Sequence, residues 1–230
     1  MERVNREVER VRKWFYRQLE FIKLYPSESH RLILILSVID SFAQDYSNFS
    51  RKENRKNFIK FIQTYAMKYC DILKEICPVT LYYDYFSDRA DITLSLQKGR
   101  IYVANDTEAI MQTQKIFKQI SKIEQQKAQL DHSYAGLIYQ LRNKLVHEFT
   151  SLNMPLNFQC DLDQQLPHMA CEEFVEDGKL VFLRWALSIP EKFVKEVAID
   201  AVEHYLQDCL IQNHVPFGMT DRKCFVSWYD

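Results

Sequence analysis

The sequence predicts a mainly α protein, a bundle of four or five helices that carries two small β-hairpins. Among its 230 residues there are only four glycines and six prolines, whereas residues that favour helices are abundant. Several long segments repeat apolar residues at helical spacing, and two short segments alternate apolar and polar residues around a turn. No internal repeat and no Gly/Ser linker interrupts the chain, so we expect one domain over residues 1–230.

Charge and hydropathy exclude several classes of protein. The chain has thirty basic and thirty-one acidic residues, and its formal charge of −1 gives no global attraction to nucleic acid or to an anionic membrane. The longest apolar run, residues 32–39, is too short to span a bilayer, and the charged N-terminus is unlike a secretory signal. We therefore expect a cytoplasmic protein without membrane contact, whose six cysteines are reduced thiols.

Residues 2–24 have the pattern of an amphipathic helix that ends before Pro26. One face is apolar and is predicted to be buried: Val4, Val8, Val11, Phe15, Leu19 and Ile22. The opposite face is basic: Arg3, Arg6, Arg10, Lys13 and Arg17. This basic stripe has the charge to follow an RNA backbone, or it is an ordinary solvated face, and the interleaved glutamates favour the solvated face.

The next two helices are predicted over about 29–46 and 51–76. The first is apolar on nearly every side, which places it at the centre of the bundle, but Asp40 lies on a narrow polar stripe along it. A buried carboxylate is costly without a partner, so we expect Asp40 to have one. Ser50 and Glu53 form a capping box that opens the second of these helices.

In the middle of the chain the pattern of apolar residues changes from helical spacing to alternation. Residues 91–104 alternate apolar and polar side chains around Gly99, which predicts the first β-hairpin. Helical patterns return at about 106–130 and 133–148, with Asp106 and Ser133 as candidate N-caps.

The last third begins with a loop-rich stretch within 150–188. A second hairpin is predicted there, near 169–175 and 179–187. The final helix starts after Ser188 and runs to about residue 213.

The candidate catalytic residues lie in one segment, residues 139–149, with the sequence YQLRNKLVHEF. On a helix Asn143 and His147 share one face, one turn apart, and the long side chain of Arg142 is able to reach the same place. Arginine binds a phosphate with two hydrogen bonds, and histidine moves protons near neutral pH, so the set suits a phosphodiester. The alternative is a structural histidine at a helix end, with Arg142 paired to an acid.

This segment resembles the Arg-polar-x-x-x-His signature of the HEPN superfamily, with Arg142, Asn143 and His147 in the matching positions and Glu148 directly after the histidine. LILILSVIDSF and RKNFIKFIQTY resemble the helix pair that precedes the signature in HEPN-like bacterial proteins. The resemblance implies an up-and-down helical bundle with the motif on a late helix. The segments at 91–104 and 150–188 depart from the family pattern.

The resemblance further implies a metal-independent endoribonuclease that acts as a homodimer in a toxin or phage-defence role. Arg142 would stabilise charge on the phosphate, His147 would act as general acid or base, Asn143 would orient His147 or the substrate, and Glu148 would support the site. The polar stripe of its helix makes Asp40 a second supporting candidate, able to orient Arg142 or His147 from across the bundle, and the alternative is a solvent-facing or locally hydrogen-bonded Asp40. No cofactor or metal is implied, and the implied partners are RNA and a cognate antitoxin or operon partner. Some HEPN-like proteins are instead non-catalytic modules that bind a nucleotide or a protein, and this alternative stays open.

Overall fold

The computed structural model of the chain describes residues 1–48, 53–89, 91–147, 165–176 and 179–218, with His147 and Gly218 described by their backbone only. These residues are mainly helical and include a small three-stranded antiparallel sheet, which confirms the predicted fold class at that level. None of the described helices combines the length and the hydrophobicity that a membrane span needs.

The chain divides into two compact units, which are described separately below. The first unit contains Met1–Met67 and Val197–Asp230, and the second contains Lys68–Glu196. The prediction of one domain over 1–230 stays a prediction. The elements follow in chain order: α1 (Glu2–Ile22), α2 (Glu28–Tyr46), α3 (Asn54–Tyr65), α4 (Cys70–Lys74), α5 (Pro78–Tyr85), β1 (Tyr102–Val103), α6 (Thr107–Phe117), α7 (Lys122–Asp131), α8 (Tyr134–His147), β2 (His168–Glu176), β3 (Lys179–Ser188) and α9 (Glu191–Ile211).

Helices α1, α2 and α3 and most of α9 form the first unit. The buried face of α1 consists of the six apolar residues that its periodicity predicts. Helix α2 begins where the Ser27 side chain accepts a hydrogen bond from the His30 N–H. Most of its apolar residues lie in the core, whereas Ile33 and Leu34 are half-buried. Arg12 of α1 is paired with Glu203 of α9, with the Arg12 Nε atom 3.0 Å from the carboxylate.

The predicted helix over 51–76 is interrupted, so that prediction is wrong beyond Tyr65. Ala66 adopts φ −79° and ψ 68°, which lies outside the helical region and ends α3. A short 3₁₀ turn over Met67–Tyr69 follows, and α4 then runs over Cys70–Lys74. Glu53 precedes α3 without a capping hydrogen bond from its side chain, and Ser50 lies outside the described residues.

The predicted hairpin over 91–104 is not formed. Only Tyr102–Val103 is a strand there, and it pairs with β2, with Tyr102 opposite Met169 and Val103 opposite His168. The reason is burial: Tyr102 is fully buried and its ring lies 5.9 Å from that of Trp185 on β3, centroid to centroid. Ile92 and Leu94 pack instead against the buried cluster around Leu81 and Ile116.

The predicted helix over 106–130 is also two helices. Asp106 caps α6 as predicted, by accepting hydrogen bonds from the N–H groups of Glu108 and Ala109. A capping box of Ser121 and Glu124 then starts α7, and this Ser-x-x-Glu pattern is the sequence feature that the prediction overlooked.

The hairpin of β2 and β3 and the final helix α9 form as predicted, apart from residues 177–178, which lie outside the described ranges.

Candidate functional site

Helix α8 carries the Arg142, Asn143 and His147 motif, and its first turn is firmly anchored in the second unit. The Gly136 N–H donates to the Ser133 hydroxyl at 3.1 Å, which confirms Ser133 as a cap. An isolated β-bridge pairs Ser133 with Ile76. Because the residues from Tyr134 to Tyr139 are all buried, the packing of the second unit determines where the later turns of α8 lie.

The motif residues lie at the edge of the buried face of α8. Leu141 and Leu145 are buried, whereas Arg142 and Asn143 are half-buried. The guanidinium Nη1 of Arg142 donates to the side-chain Oδ1 of Asn143 at 2.8 Å. The structure therefore brings two of the three predicted residues into direct contact.

His147 is the last residue of α8, one turn beyond Asn143 on the same helix. The described residues include its backbone but not its side chain, and Glu148 lies outside them. The proximity of the imidazole to Arg142, and the supporting role of Glu148, stay predictions.

The hydrogen bond between Arg142 and Asn143 has a chemical consequence. Adjacent helical residues point about 100° apart, so the bond requires the arginine to curve along the helix surface toward Asn143. A guanidinium has five N–H donors in a planar fork, and Asn143 restrains the orientation of that fork. A restrained fork is suited to a planar, two-point contact with a phosphate.

Asp40 belongs to the first unit, whereas α8 belongs to the second. Its side chain is only 5 % exposed, and its Oδ2 atom accepts a hydrogen bond from the Gln44 amide at 3.1 Å, one turn further along α2. Gln44, a neighbour on the same helix, is thus one partner of this buried carboxylate. Support of Arg142 or His147 by Asp40 stays a prediction.

The basic stripe of α1 is exposed along its whole length. Arg6 and Arg10 both lie near Glu7, at 3.7 and 3.3 Å between nitrogen and carboxylate oxygen. Ion pairs of exposed arginines with an acid of the same helix are typical of a solvated charged face, and they add little to stability. Binding of RNA by Arg3, Arg6, Arg10, Lys13 and Arg17 stays a prediction.

Sequence reasoning overlooked His132, which is only 1 % exposed. Its Nδ1 lies 3.2 Å from the Thr80 hydroxyl and its Nε2 lies 3.1 Å from the Asp84 carboxylate. The chemical order is that of a catalytic triad, but Thr80 is itself only 1 % exposed, so no substrate reaches its hydroxyl. The hydrogen bonds among the three side chains connect α5 to the junction between α7 and α8. In the sequence, the position of His132 directly before the capping Ser133 indicates that it lies at this junction.

Sequence reasoning also overlooked Asp45 of the first unit. Its Oδ2 atom accepts hydrogen bonds from the Tyr205 hydroxyl at 2.7 Å and from the Phe217 N–H at 2.8 Å. Burial raises the pKa of Asp45, although both hydrogen bonds act in the opposite direction. An acid in the last turn of a helix is unfavourable for the helix dipole, and this was the signal in the sequence.

Comparison of the chain with protein-family models, with curated proteins and with solved structures finds no match in any of the three. The resemblance to the HEPN superfamily therefore depends on the residues of α8 and of the helix pair quoted above.

Proposed function

We propose that the chain is a metal-independent endoribonuclease of the HEPN type, built as an up-and-down helical bundle and acting in the cytoplasm. The observation that supports this most directly is the 2.8 Å hydrogen bond between Arg142 and Asn143, on the helix that also contains His147. A toxin or phage-defence role follows from the same family resemblance, with a cognate antitoxin or operon protein as its partner.

The proposed reaction needs no group from outside the protein and the RNA. The ribose 2′-hydroxyl attacks the adjacent phosphorus, and the bond from phosphorus to the 5′ oxygen of the next nucleotide breaks. The products are a 2′,3′-cyclic phosphate and a free 5′-hydroxyl. Arg142 stabilises the negative charge that develops on the phosphate, and His147 accepts or donates a proton.

The reaction moves two protons, one from the attacking hydroxyl and one to the leaving oxygen. Each motif contains a single histidine, so a homodimer in which two α8 helices meet at a two-fold axis would supply both an acid and a base. Light scattering during cleavage tests this assembly. A monomer that cleaves RNA at full rate would disprove it.

The direct test incubates the purified chain with a labelled single-stranded RNA, with and without EDTA. We expect cleavage in both, with products that end in a 2′,3′-cyclic phosphate. Arg142→Ala and His147→Ala should each lower the rate by about 10²-fold or more, because each removes a group that acts in the transition state. Lys144→Ala is the matched control, since it removes a positive charge from the same helix and should leave most of the rate.

Three results would contradict the proposal. Loss of cleavage in EDTA would show that a metal is required, and full activity in His147→Ala would exclude the proposed proton transfer. Binding of RNA, a nucleotide or a protein without any cleavage would support the alternative, a non-catalytic HEPN-like module.

A further inference from the structure

The first unit contains a polar cavity of about 210 Å³. The cavity is far larger than the roughly 10–15 Å³ that a single water molecule needs, so it has room for a small molecule. Its inner wall is made by buried side chains of α2, α3 and α9: Asp45, Tyr65 and Tyr205. Its rim is made by exposed residues: Asn48, Gln212 and His214.

Two carboxylates line this cavity, and their hydrogen-bond donors are neutral. Asp45 accepts from the Tyr205 hydroxyl and a backbone N–H. Asp208 accepts from the Tyr65 hydroxyl at 2.7 Å and from the Gln212 amide at 2.8 Å. Among the described residues that line the cavity there is no lysine and no arginine. The Asp45 carboxyl is buried, that of Asp208 is half-buried, and the imidazole of His214, which acts electrostatically on Asp45, lies at the exposed rim. A buried carboxylate without a paired cation is costly, and a cation entering the cavity would offset that cost for Asp45.

The buried tyrosine hydroxyls and the cysteine thiol that line the cavity are neutral at pH 7. Burial raises the pKa of the Tyr65 and Tyr205 hydroxyls, which therefore keep their protons. Burial also raises the pKa of the Cys209 thiol to about 12, so it carries no charge. Among the described residues that line the cavity, Asp45 and Asp208 are thus the ones able to carry negative charge. Burial raises the pKa of Asp45, and a cation bound beside it would favour its ionised form.

The aromatic lining is a second observation, independent of the charges. The rings of Tyr46 and Tyr205 both pack edge to face against Tyr65, at centroid distances of 5.6 and 5.3 Å. All three line the cavity. Tyrosine rings attract organic cations and pack against their alkyl parts, and they also leave a hydroxyl oxygen that accepts hydrogen bonds.

We infer that this cavity binds a small aliphatic amine, held by its primary ammonium group against Asp45 and Asp208 and by its alkyl chain against the tyrosine rings. An ammonium has three N–H donors and no acceptor, which matches a wall of carboxylate and phenol oxygens. The inference does not depend on RNA cleavage, because the cavity residues belong to the first unit and α8 to the second.

Isothermal titration of the full chain with 1,4-diaminobutane tests this inference, and 1,4-butanediol is the uncharged ligand of the same length. We expect saturable binding of the diamine with one site per chain and no binding of the diol. Asp208→Asn should weaken diamine binding at least tenfold. Asp200→Asn is the matched control, because it removes the same charge from α9 two turns away and should bind the diamine as the unchanged chain does.

A second variant keeps the test decisive if Asp208→Asn does not fold. His214 is exposed at the rim, so His214→Lys leaves the core intact and places a fixed positive charge at the entrance, which should also weaken binding at least tenfold. Equal binding of diamine and diol, unchanged binding in His214→Lys, or equal losses in Asp200→Asn and Asp208→Asn would each overturn the inference. Displacement of the diamine by equimolar MgCl₂ would also overturn it, in favour of a metal site.

Discussion

The hydroxyl of Tyr205 donates a hydrogen bond to Oδ2 of Asp45 at 2.7 Å, although 160 positions separate the two residues in the sequence. The bond joins α9 to the end of α2, in a region where both side chains are buried. Phe217 adds its N–H to the same oxygen while it holds a left-handed backbone with φ 63°. A left-handed conformation is unfavourable for a phenylalanine, and the hydrogen bond to Asp45 offsets part of that cost.

Tyr205→Phe should destabilise the protein by about 1–3 kcal/mol, because it removes a donor from a buried carboxylate and leaves the ring in place. Tyr65→Phe is the control, and it should cost less, about 0.5–1.5 kcal/mol, because Asp208 is only half-buried and keeps its bond from Gln212. Urea unfolding of the three proteins measures both differences. Equal decreases in the free energy of unfolding would show that the hydrogen bond to Asp45 contributes no more to stability than the hydrogen bond to Asp208.

Asp45→Asn should change how stability depends on pH. Burial raises the pKa of Asp45 above its ordinary 3.8, so the folded chain holds this proton more tightly than the unfolded chain does. Below pH 3.8 Asp45 is protonated in both the folded and the unfolded chain, and its full contribution to the free energy of unfolding is present. This contribution is lost as the pH rises from 3.8 to the raised pKa of the folded chain, and above that pKa the free energy no longer changes with the pH through Asp45. The stability advantage of the unchanged chain over Asp45→Asn should therefore fall with rising pH in that window.

Denaturant unfolding of both proteins at intervals between pH 3 and pH 7 measures that difference. A difference that is constant with pH would contradict a raised pKa, and one that grows with pH would imply a lowered pKa.

Gly136→Ala should destabilise the protein by about 1–3 kcal/mol, although alanine favours helices over glycine. A β-carbon at Gly136 would overlap the backbone carbonyl of Leu130, at the end of α7, and backbone atoms do not move aside easily. At an open helical position the same substitution stabilises by about 1 kcal/mol. The sign of the change in the unfolding free energy is thus the result to measure, and stabilisation would contradict the close approach of α7 and α8.

If the chain has the proposed ribonuclease activity, Arg142→Lys should lower RNA cleavage by about 10²-fold or more, since a point charge does not reproduce the planar two-point contact of a guanidinium with a phosphate. Asn143→Ala should be milder, about tenfold, because it removes one hydrogen bond that restrains the guanidinium. Both variants should unfold within about 1 kcal/mol of the unchanged chain, since both positions are half-buried. Cleavage rates and thermal melts of the same preparations decide; a large loss of stability with normal cleavage would mean that the pair is structural.

The sequence predicts the helices and hairpins that are formed by residues close to one another along the chain. The buried face of α1 follows from apolar residues at helical spacing, and the β2–β3 hairpin follows from alternation on both sides of a short turn. The motif of Arg142, Asn143 and His147 was placed on one helix for the same reason. A helix or a hairpin makes its hydrogen bonds locally, so its pattern is readable in a single segment.

The pairing of segments that are distant in the sequence is visible in the folded chain and not in any single segment. The alternation at 91–104 predicted a local hairpin, but Tyr102 is buried against Trp185 and its strand pairs with β2 instead. Asp45 and Tyr205 each lie on a predicted helix, yet neither sequence segment indicates that one is the hydrogen-bond partner of the other. The physical reason is that a large buried side chain needs packing neighbours and a buried carboxylate needs hydrogen-bond donors. In the folded core these neighbours and donors come from distant parts of the chain, so a single segment does not indicate them.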